Sequence, residues 1–101
     1  MNKPPEPAFN ELIHAPLRLR ICASLAPVEY AEFASLKANL GVADSVLSKH
    51  LKQLGEAGYT QIERFTKLGR SHVRVSLTYA GREAYVGHLA ALREITNSGI
   101  S

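Results

Sequence analysis

Between Ala43 and Tyr59 the chain reads ADSVLSKHLKQLGEAGY, and the groups in it with chemistry to offer are hydroxyls and ammonium groups at helical spacing. On a wheel of about 100° per residue, Leu47, Leu51 and Leu54 fall together as an apolar stripe, and Ser45, Lys49 and Lys52 point away from it. Val46, Ser48 and Gln53 flank that outer face, His50 sits at its border, and the acids Asp44 and Glu56 stand only at the ends. Hydroxyls bond base edges or phosphates, lysine reaches guanine acceptors or phosphate oxygens, and a valine can touch a thymine methyl. Carboxylates in the middle of the face would repel phosphate.

A second group of cations follows. Arg64, Lys67, Arg70, His72 and Arg74 surround the sequence Lys67-Leu68-Gly69-Arg70, where a turn would carry them to a minor groove or to the backbone beside it. Residues 1–40 contain four Lys/Arg and four acids, and residues 79–101 contain two of each. The whole formal excess of +3 therefore lies in residues 41–78, as a polyanion-binding surface would require.

The elements that must position these groups can be read from periodicity and breakers. At 101 residues, 46% hydrophobic and 21% charged, the chain holds one modest core. Three prolines, Pro4, Pro5 and Pro7, make residues 1–7 a disordered lead-in, with a single domain at 8–97 and a tail at 98–101. Phe9, Leu12 and Ile13, then Leu17, Ile21 and Leu25, follow helical spacing that Pro16 divides into two helices, with Asn10 capping the first. Ala26-Pro27 ends the second, and Val28 to Tyr30 is a short extended piece.

Phe33, Leu36 and Leu40 mark a short helix closed by Gly41, and Asp44 caps the Leu47 helix, which Gly58 ends. Two helices joined by about three residues with a glycine make a helix-turn-helix candidate. Residues 59–65 and 71–77 alternate with period two, which predicts a β-hairpin immediately after it. Thr78 then caps a last helix from Tyr79 to about Asn97, with Tyr85, Leu89 and Leu92 on its apolar face.

In that order the chain resembles the small winged-helix transcriptional regulators of the MarR and ArsR type. The resemblance rests on HAPLRLRICASL, EFASLKANLGVADSVLSKHLKQLGEAGY, LGRSHVRVSLT and TYAGREAY, together about four-fifths of the chain, of which LSKHLKQLGEAGY is the most specific. The implied fold is α+β, mostly helical: a winged helix-turn-helix with a two-stranded β-hairpin wing and flanking N- and C-terminal helices. It also implies that Ser45, Val46, Ser48, Lys49 and Lys52 lie on a recognition helix and Arg70 at the wing tip. Val46 stands where relatives often have a polar base-reader, and Tyr79 replaces a common proline ahead of the Ala-Gly-Arg triplet.

The expected function is sequence-specific binding of double-stranded DNA for transcriptional regulation, at a palindrome and as a homodimer. Packing of Phe9, Leu12 and Ile13 with Tyr85, Leu89 and Leu92 across a two-fold axis would space two recognition helices about one DNA turn apart. The alternative is a winged helix that docks an acidic protein, but such a surface would expose more aromatic or aliphatic groups than Ser45 to Gln53 provide. No catalytic arrangement stands out, so no enzyme is expected. No cofactor is implied, and the chain has little room for an effector pocket other than at a dimer interface.

Paired cysteines or His/Asp clusters at ligand spacing are lacking, His14, His50, His72 and His88 being scattered, so no metal site is expected. The lone Cys22 falls inside an apolar repeat and reads as a buried thiol. No run of about 18 apolar residues occurs and MNKPPEPAFN lacks the apolar core of a signal peptide, so a cytoplasmic location without membrane contact is expected.

Overall fold

A computed structural model describes residues 3–98. Its elements run α1 (Glu11–His14), α2 (Pro16–Leu25), β1 (Ala31–Glu32), α3 (Phe33–Leu40), α4 (Asp44–Glu56), β2 (Thr60–Lys67), β3 (Arg70–Leu77) and α5 (Tyr79–Ser98). The breakers act where the sequence places them. Asn10 caps α1 by accepting the Ile13 N–H at 2.9 Å, Pro16 occupies the start of α2, and Gly41 closes α3 in the left-handed region at φ +67°.

One cap differs. Ala43 rather than Asp44 is the N-cap of α4 and makes no side-chain cap bond. Asp44 is already helical, and its carboxylate meets Lys37 Nζ of α3 at 2.6 Å, tying the two helices across their turn. At the other end of α4 the Tyr59 N–H returns to the Leu54 carbonyl at 2.9 Å while Gly58 takes φ +81°, a six-residue closure that lets β2 leave directly.

The sheet has three strands in the order β1-β3-β2, all antiparallel, where the sequence suggested two. The added strand is only Ala31–Glu32, opposite Val75 and Arg74. Two residues cannot show a period, so pattern reading had nothing to detect. One side of the sheet carries Val75, Leu77 and Thr60 into a core with Ile13, Ile21, Cys22, Leu25, Leu36, Leu40, Leu47, Leu51 and Leu54. Burial pushes the Cys22 thiol up to about 11, which leaves little thiolate at neutral pH and makes it inert.

Among the described residues, the lead-in from Lys3 to Pro7 has no regular structure, but the chain just after it is not free. Ala8 N–H donates to the Gly87 carbonyl of α5 at 2.9 Å, and a Cβ on Gly87 would approach Glu6 O at 3.3 Å, so the lack of a side chain there lets the arm lie against the helix. Beside this contact His88 is wholly buried. Its Nδ1 accepts the Asn10 N–H at 3.0 Å, and its Nε2 faces His14 Nδ1 at 3.2 Å, with Phe9 packed against both rings.

A backbone N–H can only donate, so Nδ1 of His88 carries no proton and Nε2–H is the donor to His14. A second proton on His88 must go to Nδ1, where it would displace the bond from the Asn10 N–H. Burial first, and then His14, lower the pKa of His88, against a smaller opposite pull from Glu11. As pH falls past about 6.5 the unfolded chain takes up the proton before the folded one does. Stability is therefore full above that pH and is lost as pH falls through the window between the unfolded value and the lowered folded one. Melting temperature measured from pH 7.5 to 5 should show this acid-side loss, and His88→Gln should flatten it; an unchanged slope would exclude His88 as its source.

Candidate nucleic-acid interface

Three fully seated leucines, Leu47, Leu51 and Leu54, fix the rotation of α4 about its own axis. Ser45, Val46, Ser48, Lys49 and Lys52 are consequently all exposed on the opposite side, Val46 at 40%. Lys49 and Lys52 have no acidic partner among the described residues, so both ammonium groups are available. Gln53 is placed differently. It is half-buried and its Oε1 accepts from the Arg18 guanidinium at 2.9 Å.

Arg18 is a residue that sequence reading missed. From α2 it donates Nε–H to the Leu12 carbonyl at 2.6 Å and reaches both Gln53 and, at 3.0 Å, His50 Nδ1. One guanidinium thereby braces α4 against α1 and α2. Burial, then the charges of Arg18 and Lys49, depress the His50 pKa, so the border of the outer face is neutral at pH 7. No spacing signals this brace, because Arg18 and Gln53 are 35 residues apart and meet only in the fold.

Next to α4, β2 and β3 form a hairpin whose register pairs Lys67 with Arg70, leaving Leu68 and Gly69 as a two-residue turn. Both have positive φ, 53° and 75°, as a type I′ turn demands. The tip is thus Leu68-Gly69, with Arg70 one step behind it. Alternation puts Arg64 on one face of the ribbon, and Lys67, Arg70, His72 and Arg74 on the other.

Three of those four are engaged within the protein. Glu32 of β1 takes His72 Nδ1 at 3.0 Å and Lys67 Nζ at 3.7 Å, and Glu63 takes Arg74 Nε at 2.9 Å. Arg74 also lies over the rings of Tyr30 and Phe65, 4.8 and 5.0 Å from their centroids. Arg64 and Arg70 have no acidic partner among the described residues. Among the described residues, the cations of α4 and the hairpin without an acidic partner are thus Lys49, Lys52, Arg64 and Arg70, fewer than the six Lys/Arg that residues 41–78 contain.

A family model described as a winged helix DNA-binding domain matches residues 17–96, which include α4, the hairpin and most of α5. The chain belongs to the winged helix DNA-binding domain family. Among solved structures, the winged helix resembles a transcriptional regulator homologue from Pyrococcus horikoshii OT3, with a TM-score of 0.84 at 22% identity over 91% of each chain. It also resembles ZitR of Lactococcus lactis, a zinc-responsive MarR family member, with a TM-score of 0.58 at 25% identity over 79% of this chain and 54% of the other. By sequence it is 28% identical over 88 residues to an uncharacterised protein of Methanocaldococcus jannaschii, covering 87% of this chain and 96% of that one.

The winged helix accommodates its unusual Tyr79 simply. The residue is the first of α5 and 80% exposed, at the position where a proline would also be tolerated. Of the residues expected at a dimer interface, Leu12, Tyr85, Leu89 and Leu92 are half-buried, and Phe9 is 44% exposed while packed on His14 and His88. Ile13 is wholly buried in the protomer's own core and has no surface left for a partner. No helix among the described residues is long and apolar enough to cross a membrane.

Proposed function

We propose that this winged helix is a cytoplasmic transcriptional regulator that binds a short palindromic DNA site as a homodimer, α4 lying in the major groove and the wing beside it. The observation that carries the reading is the outer face of α4, exposed at Ser45, Val46, Ser48, Lys49 and Lys52, free of acids in its middle, and held outward by three buried leucines. In this reading Ser45, Val46 and Ser48 meet base edges, while Lys49, Lys52, Arg64 and Arg70 meet phosphates. Gln53, His72 and Arg74 act indirectly, by holding α4 and the wing in place. The pairing surface is Phe9 and Leu12 together with Tyr85, Leu89 and Leu92, extended by the exposed Ile95.

Selection of bound fragments from random duplex DNA, with the molecular mass of the complex, tests the reading. A two-fold-symmetric site and a dimer mass are expected; a monomer on an asymmetric site would remove the dimer. The salt response tests the inventory of free cations. Each phosphate contact adds about 0.9 to the slope of log K against log salt, so four per protomer give about −7 for a dimer. A slope near zero would contradict DNA binding through these cations.

A further inference from the structure

The wing tip combines three local choices that are each unfavourable in the isolated chain. Leu68 adopts φ +53°, a left-handed conformation that turns of this type normally give to asparagine, aspartate or glycine. Its side chain is 94% exposed and so gains nothing by packing. Directly behind it Lys67 and Arg70 stand opposite each other across the hairpin, like charges in a position where they repel. Gly69 completes the tip with no heavy atom within 4 Å of where a Cβ would lie, so the end of the wing is slim and open.

A minor groove would relieve the last two at once, leaving the turn conformation as it is. Phosphates along its edges would separate and neutralise Lys67 and Arg70, and an apolar side chain between them would be removed from water by entering between base pairs, as apolar wedges do. Lys67 is held by Glu32 only at 3.7 Å, so it can be drawn to a phosphate more easily than His72 or Arg74 can.

We propose that Leu68 is a wedge that enters the minor groove and opens a base step there, with Lys67 and Arg70 astride it on phosphates. The inference rests on the DNA-binding reading above and adds a specificity element to it. The step opened should be a flexible pyrimidine–purine step, TA or CA/TG, read by its deformability and not by hydrogen bonds.

The test uses the selected duplex with 2-aminopurine placed at each position flanking the α4 half-site. With the parent protein, fluorescence should rise at one step per half-site as the base unstacks. Leu68→Asn should raise the melting temperature, because asparagine suits the left-handed turn. It should also lower affinity by about tenfold or more and abolish the fluorescence rise. Leu68→Met, which keeps an apolar tip, should retain most of both. If the parent binds but Leu68→Asn binds equally well, or still unstacks the probe, the wedge is wrong while DNA binding stands. If the parent selects no duplex at all, the underlying reading fails instead.

Discussion

Replacing Lys49 and Lys52 together by alanine should weaken binding to duplex DNA by roughly a thousandfold at 0.15 M salt and reduce the salt slope by about 3.6. The proposed dimer would lose four phosphate contacts in this variant. Each contributes about 0.9 per decade of salt, and 0.15 M lies nearly one decade below the concentration at which the counterion contribution vanishes. The loss should be nearly the same on specific and random duplexes, because phosphate contacts position the protein without reading sequence.

Folding gives an independent control. Both lysines are exposed and unpaired, and alanine has the higher helix propensity, so the melting temperature should hold or rise slightly. Parent-like affinity in the double variant would mean that another surface meets the DNA. Exchanges at Ser45 or Val46 should behave oppositely, changing which sequences are selected more than how salt acts.

Gly81→Ala should have the largest effect on stability, at about 3 kcal/mol or more, lowering the melting temperature by more than about 10 °C. Gly81 is in the first turn of α5, where its N–H is capped by Thr78 Oγ1 at 2.9 Å. A Cβ there would lie on the Tyr59 carbonyl oxygen, 2.8 Å from the carbonyl carbon and 2.9 Å from Cα. That backbone cannot easily retreat. Its N–H is bonded to Leu54, its carbonyl accepts the Thr78 N–H at 3.0 Å, and Thr78 Oγ1 also donates to the Gly58 carbonyl at 2.6 Å.

The sign of this result is informative. Helix propensity alone would make alanine stabilising by about 1 kcal/mol, so destabilisation would isolate the close approach of α5 to the end of α4. A stabilised Gly81→Ala protein, measured by thermal or denaturant unfolding, would show that this approach does not occur.

What the chain disclosed on reading was whatever local pattern encodes. The leucine period of α4, the proline at the head of α2, Gly41, Thr78 and the alternation through β2 and β3 each act within a few residues, and each stands where expected. The shortfalls arise from contacts between distant segments. Arg18 meets Gln53, His14 meets His88 and Glu32 meets His72 across 35, 74 and 40 residues, and none leaves a periodic trace. Such meetings, together with the cross-strand pair of Arg74 and Glu63, give Gln53, His72 and Arg74 partners within the protein. Ile13 illustrates a related point, since an apolar residue on an amphipathic helix can serve a core or a partner equally well until the packing decides.

Contact between α4 and DNA can be measured directly by photo-crosslinking. Buried Cys22 does not compete for a thiol-directed label, so an azidophenyl reagent can be placed on a cysteine introduced as Ser48→Cys, with Glu29→Cys as the comparison site. Irradiation with the selected duplex should join the label at 48 to bases in each half-site and leave the label at 29 unattached. Crosslinks from 29 with none from 48 would contradict the placement of α4 in the major groove.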